Sequence, residues 1–323
     1  RKTIFQKAFD LLKEKPKEQN EESESWYDEV KSYIYDEETT LTALRIVIPK
    51  AHKVSTEQNE ALLLMLSNTE LPISFEIIGT RDKIHIQFVC SVRDSAILKS
   101  QLKAFFPEVI VTENITYLDA IVSNEGYGYI IDLGLKEEFM RPLEMDNKFK
   151  IDPFTPFFGI LDNLQESEQI SLQVLFTKVV NPWSESMIRS VMDERGDAFF
   201  TNAPEMVKLA QQKISSPLFA ATIRLVAQSH DEDSALQLIK HATASVIHSS
   251  QSSFNSLIPL NTEMYDFETR LSDISFRESH RIGMILNGQE LANFVHIPNE
   301  SIASTKLDRD IKKTNPAPVI QSQ

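Results

Sequence analysis

Lys83-Ile84-His85-Ile86-Gln87-Phe88-Val89 alternates without a break. Ile84, Ile86 and Phe88 fall on one face of an extended chain, and Lys83, His85 and Gln87 fall on the other. That period of two marks a strand with one face in a core. A turn around Thr80–Asp82 joins it to a second strand, Ser74–Ile78. Upstream lies a strand candidate, Leu41–Pro49, and then a helix start in which Ser55 and Gln58 form a capping box ahead of the apolar run Ala61–Leu66. Downstream, Asp94 or Ser95 opens a helix through Phe106, which Pro107 stops because proline cannot continue a helix. Glu108–Thr112 is a β-branched strand. The order is βαββαβ, the ferredoxin-like plan.

The same order recurs with insertions. Tyr127–Gly134 reads as a strand, Thr155–Leu164 as a helix, and Gln169–Val180 as a long strand with Ile170, Leu172, Val174 and Phe176 on one face. Asn181-Pro182-Trp183 ends it. Two helical pieces follow, around Ser186–Glu194 and Pro204–Ile214. Then come a strand at Leu218–Gln228, a helix at Ser234–His248 capped by Asp231 or Asp233, and a final strand at Ser253–Pro259. The fold class expected is therefore α+β with two ferredoxin-like (βαββαβ) units, the second enlarged by a helical insertion. The division is an N-terminal helix and acidic linker (1–40), unit one (41–120), unit two (121–265), and a connector and linker (266–323). Polar residues at alternate positions of Lys83–Val89 and Gln169–Val180 imply a sheet face that is partly solvated or packed against a neighbour.

Composition bounds the rest. The chain has 323 residues, a net charge of −14 and 41% hydrophobic residues, enough for a packed core but not the basic balance of a main nucleic-acid grip. Its single cysteine, Cys90, excludes an internal disulfide and a cysteine-rich metal site and suits a reducing, cytoplasmic setting. No run reaches the roughly 18 apolar residues that span a bilayer. Residues 3–14 carry Ile4, Phe5, Ala8, Phe9 and Leu12 at helical spacing. Residues 21–40 hold eight acidic residues and one basic one, Lys31, as a solvated linker would.

The segment 276–318 holds a short strand (Gly283–Leu286), a helix (Gln289–Val295), the corner His296-Ile297-Pro298 and a Pro316-Ala317-Pro318 stop. It resembles the segment that precedes the motor domain in HerA-type ATPases related to type IV secretion and conjugative DNA transfer. Ile73-Ser74-Phe75-Glu76-Ile77, Ile84-His85-Ile86-Gln87-Phe88, Ser100–Pro107 and the Ser171–Leu175 strand with Asn181-Pro182-Trp183 are similar to further elements of that family, in order. The resemblance implies a non-motor N-terminal region of a DNA-translocating ATPase. That region would assemble subunits into a homo-oligomer or dock partners at the inner face of the membrane, with ATP, Mg and DNA handled by a motor domain outside this stretch; whether a membrane anchor stands upstream of Arg1 is left open by the sequence.

No Gly-x-x-x-x-Gly-Lys-Ser/Thr is present, and the nearest glycine pair, Gly126-Tyr127-Gly128, lacks the lysine that reaches the phosphates. No catalytic, cofactor or metal residue is therefore assigned. His241 and His248 stand seven residues apart, about 10 Å along a helix, too far for one ion. Cys90 and His85 alternate onto opposite faces. His280 and His296 have no partner at diagnostic spacing, and His296 reads as a hydrogen-bonded structural residue at its corner. An RNA-binding βαββαβ module would need aromatics on the polar face of its central strand, where Lys83–Phe88 offers only His85. The one candidate interaction cluster is Lys306, Arg309, Lys312 and Lys313. Two other classes stand beside the motor region: a stand-alone ligand- or protein-binding module, and a hydrolase whose acids converge only in space.

Overall fold

The computed structural model describes residues 40–49, 53–114, 118, 126–145, 151–179, 182–193, 195–262, 265–281, 283–307 and 309. The N-terminal helix expected at 3–14 and its acidic linker lie outside these residues, as do Lys312 and Lys313.

The strands are β1 (Leu41–Val47), β2 (Ile73–Gly79), β3 (Ile84–Ser91), β4 (Ile110–Asn114), β5 (Tyr127–Leu135), β6 (Gln169–Lys178), β7 (Leu218–Ser229), β8 (Leu257–Pro259) and β9 (Met284–Asn287). The helices are α1 (Thr56–Leu66), α2 (Ser95–Phe105), α3 (Thr155–Asp162), α4 (Pro182–Arg189), α5 (Glu205–Lys213), α6 (Glu232–Ser250), α7 (Phe267–Phe276) and α8 (Gly288–Ala292). Local signals act as expected: Ser55 and Gln58 close a reciprocal capping box on α1, and Asp231 accepts from Ser234 N to cap α6. Gly126 turns into β5 at φ 133°, and a Cβ there would sit 2.7 Å from the Ser229 carbonyl oxygen, so only glycine fits.

The expectation of two separate ferredoxin-like units is overturned. All the described strands join one nine-stranded antiparallel sheet in the order β4-β1-β3-β2-β6-β7-β5-β8, with β9 on β7. The seam is β2 against β6, in register from Ile73↔Phe176 to Gly79↔Ile170. Left apart, both strands would present unpaired N–H and C=O groups along a buried apolar row, a costly edge. Joining them satisfies both. The stretch expected to be connector also enters the sheet. β9 pairs with Leu218–Ala221 of β7, end to end with β5, which pairs with Ile223–Ser229.

One sheet face carries Phe75, Ile77, Ile86, Phe88, Leu172, Val174, Ile223 and Leu225, and its core includes Leu63, Leu98, Phe157 and Ile239 from α1, α2, α3 and α6. α4 and α5 form a second small core with Met187, Met206, Leu209 and Leu218. The opposite face is covered by α7, which sequence reading left without an element: Ile274 packs with Ile78, Ile130, Val226 and Leu118. The expected partial solvation of that face is therefore also corrected, since His85, Gln87, Ser171 and Gln173 are all buried.

Candidate functional site

The covered polar face carries a row that crosses seven strands. Cα register places Thr112 beside Arg45, Arg45 beside Gln87, Gln87 beside Glu76, Glu76 beside Gln173, Gln173 beside Arg224, and Arg224 beside Asp132. Alternation alone builds it, because each residue occupies the outward position of its strand. Glu76 and Gln173 are fully buried and Arg224 nearly so. A buried charge is tolerated only when it is paired and hydrogen-bonded, and the cover supplies the partners.

Glu76 Oε1 accepts from Ser74 Oγ at 2.8 Å, Gln173 Nε2 at 2.9 Å and Arg277 Nε at 3.0 Å, while its Oε2 accepts from Gln87 Nε2 at 2.6 Å. Asp132 lies among three guanidinium groups: Arg281 Nε at 3.0 Å, Arg270 Nη2 at 3.3 Å and Arg224 Nε at 3.7 Å. Arg224 also donates to the Glu278 carbonyl at 2.6 Å. Asp273 of α7 pairs with His280 and accepts from its backbone N–H. Burial, and next the neighbouring Asp273 charge, push Glu278 above the ordinary carboxylate range. Arg277 reaches Glu76 from a left-handed backbone, φ 54°, at the end of α7. The carboxylates of this row are thus engaged by donors from the strands and from the cover. Two acceptors, Gln87 Oε1 and Gln173 Oε1, are buried without a protein donor.

Two further buried pairs lie in the segment 284–309. Glu290 is fully buried: its Oε2 stands 2.6 Å from Lys213 Nζ of α5 and accepts from Asn287 N at 2.7 Å, and its Oε1 accepts from Leu143 N at 2.7 Å. Burial drives the Lys213 ammonium below its ordinary range, and the Glu290 charge opposes that shift. His296 places Nδ1 2.8 Å from the Ala292 carbonyl and Nε2 3.0 Å from Asp152 Oδ1. Both ring nitrogens thus face oxygen atoms, one of the backbone and one of a buried carboxylate. The ring stacks on Phe154 with centroids 4.0 Å apart. Asp152 also accepts from Phe154 N and Asn299 N; burial alone would raise its carboxyl, but the His296 charge and these hydrogen bonds hold it below the usual range. Beside this pair opens a polar cleft of about 270 Å³, lined by Ser55, Asn59, Gln289, Asn293 and Asn299.

The sequence-derived cluster divides. Lys306 Nζ donates to the Leu161 carbonyl at 3.1 Å, and Arg309 donates to the Pro49 carbonyl at 3.3 Å and to the Ile302 carbonyl. Sequence reading missed Arg270, Arg277 and Arg281, the arginines of the cover. Their signal was present as charged residues at alternate positions of strands otherwise rich in isoleucine and leucine. His241 stands on α6, beside a groove it forms with α3. Cys90 is fully buried, its thiol pushed up to about 12 by burial and by the Asp94 charge. Among the described residues no group of histidine, cysteine and acidic side chains could hold a metal ion, and no helix is long and apolar enough to cross a membrane.

A one-sheet α+β fold with a sealed polar row defines a class by architecture, not by chemistry. The chain belongs to the family described as a domain of unknown function (DUF8128), whose model matches residues 2–198. No curated protein matches it. Among solved structures it is similar to 6-hydroxy-D-nicotine oxidase from Arthrobacter nicotinovorans, at 14% identity and a TM-score of 0.35, over 79% of this chain and 53% of that one. It is also similar to a single-residue variant of berberine bridge enzyme, a reticuline dehydrogenase, at 12% identity and a TM-score of 0.27, over 66% of this chain and 42% of that one. The chain thus spans about half the length of the solved structures it matches, and a likeness of that degree assigns neither fold nor cofactor.

Proposed function

We propose that this chain is a non-catalytic assembly and docking region of a DNA-translocating ATPase of the conjugation or type IV secretion kind, working in the cytoplasm at the inner face of the membrane. The observation that carries the reading is the role of the segment 284–309. This stretch lies within residues 276–318, which resemble the pre-motor segment, and it staples both halves of the sheet together. β9 joins β7, and Glu290 clamps α5 to the 143 region. Ile297 N donates to Asn59 of α1 at 3.1 Å, and Ile84 N donates to the Lys306 carbonyl at 2.9 Å. Arg309 ties back to Pro49. A segment held this way passes force into a rigid sheet instead of a hinge, which suits a platform beneath a moving domain. Glu290, His296, Lys306 and Arg309 are each engaged by partners within the chain, which suits a structural part better than a reactive one. Subunits of the same protein and, through the motor, DNA are the partners this role implies.

Two measurements test it. The purified chain releases no phosphate from ATP with Mg above a mock preparation; turnover that follows the protein through every column and disappears on heating would sink the reading. The reading frame that carries this chain encodes a Walker motif downstream of Gln323; a frame encoding an unrelated domain there would do the same.

The cleft beside His296 favours a second reading, a stand-alone ligand-binding module. Under it, a small polar ligand raises the melting temperature of the wild type but not of the Asn293→Ala variant.

A further inference from the structure

The polar cleft beside His296 lies where three segments meet: the start of α1, Asp152-Pro153, and the stretch from Gln289 to Asn299. Its volume of about 270 Å³ is just below the roughly 300–1,000 Å³ of pockets that hold drug-sized molecules, so it admits one small ligand. Its walls carry side-chain amides, and the chain fixes how two of them point. Asn293 is buried, at 4% exposed, and its Nδ2 donates to the Glu144 carbonyl at 2.7 Å. That bond orients the amide and leaves Oδ1 as an acceptor for the cleft. Asn299 is set the other way. Its Oδ1 accepts from Ser301 N at 2.7 Å and from Ser301 Oγ, which leaves Nδ2 as a donor. Gln289 makes no hydrogen bond among the described residues, so its amide can offer either end.

The ionisable groups of the cleft are poorly placed to hold a charged ligand. Asp152 and His296 are turned to each other, at 3.0 Å, and to the backbone. Glu57 also lines the cleft but is exposed. Solvent and salt screen its pull on a cation, and it repels an anion. Among the described residues no lysine or arginine lines the cleft, and no Phe, Tyr or Trp does. The His296 ring, 6% exposed, already stacks on Phe154, so an aromatic ligand finds no platform.

We infer that the cleft takes a small neutral polyol, of the sugar or cyclitol class, a proposal that rests on the ligand-binding reading of the same cleft. Each hydroxyl group both donates and accepts. A molecule with several of them meets the Asn293 acceptor, the Asn299 donor and the adaptable Gln289 amide together, and brings no charge with it. A simple amide, with one donor and one acceptor, satisfies fewer of these groups.

The test uses the isotope-labelled full-length chain and reads its side-chain amide signals by NMR. Polyols stabilise folded proteins in general by exclusion from their surface, so a melting temperature alone would not report binding. The probes are glycerol, myo-inositol and D-glucose, with inorganic phosphate and N-methylacetamide as the charged and amide alternatives. Myo-inositol or D-glucose will shift the Gln289, Asn293 and Asn299 signals along a saturating curve, with a Kd on the order of millimolar. Gln289→Ala will weaken that binding about three- to ten-fold, and Gln237→Ala, on α6, will leave it unchanged. Gln289 makes no hydrogen bond among the described residues, so this variant separates binding from folding. Saturation by phosphate or N-methylacetamide and by no polyol would overturn the proposal and leave the ligand-binding reading standing. Shifts that saturate with no probe would overturn both. A polyol curve that Gln289→Ala does not weaken would overturn the proposal by placing the polyol elsewhere.

Discussion

The two faces of the sheet solve the same problem in opposite ways. On one face Phe75, Phe88, Leu172 and Leu225 meet apolar helices, and burial itself is the driving force. On the other face Glu76, Gln173, Arg224 and Asp132 meet α7 and Arg277–Arg281, and the contact holds because charges are paired at close range. The first face tolerates any well-shaped apolar replacement. The second tolerates removal of a pair far better than removal of a partner, since a lone buried charge keeps its desolvation cost. The difference teaches that a buried charge row is specific more than it is strong. It dictates which segment covers the sheet and in which register.

That contrast can be broken most severely at the Lys213–Glu290 pair. Glu290→Ala leaves a buried ammonium alone, and chemical denaturation will show a loss of about 3–5 kcal/mol. The double change Lys213→Met with Glu290→Gln recovers part of it, since the glutamine oxygen still accepts from one of the two buried backbone N–H groups, Leu143 N and Asn287 N. A double variant as unstable as the single one would mean that the pair, and not the orphaned charge, carries the energy.

Next comes Arg277. Arg277→Ala removes a charged donor from Glu76 and costs about 1.5–3 kcal/mol. Arg277→Gly loses the same contact but adopts φ 54° without strain, so it will be more stable than the alanine variant by about 1 kcal/mol. Equal stabilities would show that the left-handed backbone is not held by this residue.

The His296 corner sharpens the comparison through pH. Asp152 is held below its ordinary value of 3.8 in the folded chain. Its carboxylate therefore contributes stability that is present above pH 3.8 and disappears as pH falls through the lowered folded value. Asp152→Asn will flatten the acid limb of the stability curve; an unchanged limb would exclude the pair as its source.

His85 makes its contribution only in acid, and none near neutral pH. Burial, followed by the charges of Arg45 and Lys83, lowers it from 6.5 to about 4. Between those values the unfolded chain binds a proton that the folded chain refuses, so stability declines as pH falls from 6.5 toward 4. His85→Gln will remove that slope, readable in melting temperatures taken across the window. A slope that persists would place it on another group.

Much of the local structure was legible. Alternation in Ile84–Ser91 and Gln169–Lys178, the Ser55–Gln58 box and Pro107 act within a few residues of themselves, so reading them needs no knowledge of neighbours. α7 was not legible as the cover. Its residues Leu271 and Ile274 make only a narrow apolar stripe, and its docking depends on charges far away in sequence. Lys306 and Arg309 looked free because nothing local reveals the Leu161 and Pro49 carbonyls that hold them.

Taken alone, the order of residues determined which segments become strands and helices and which side of each strand is apolar, because φ/ψ preference, capping and alternation are short-range effects. Only the tertiary structure decided that β2 pairs with β6, that one sheet forms instead of two, and that Glu76, Arg224, Asp132 and Arg277 converge. Those outcomes depend on which distant edge satisfies an exposed backbone and which distant charge neutralises a buried one.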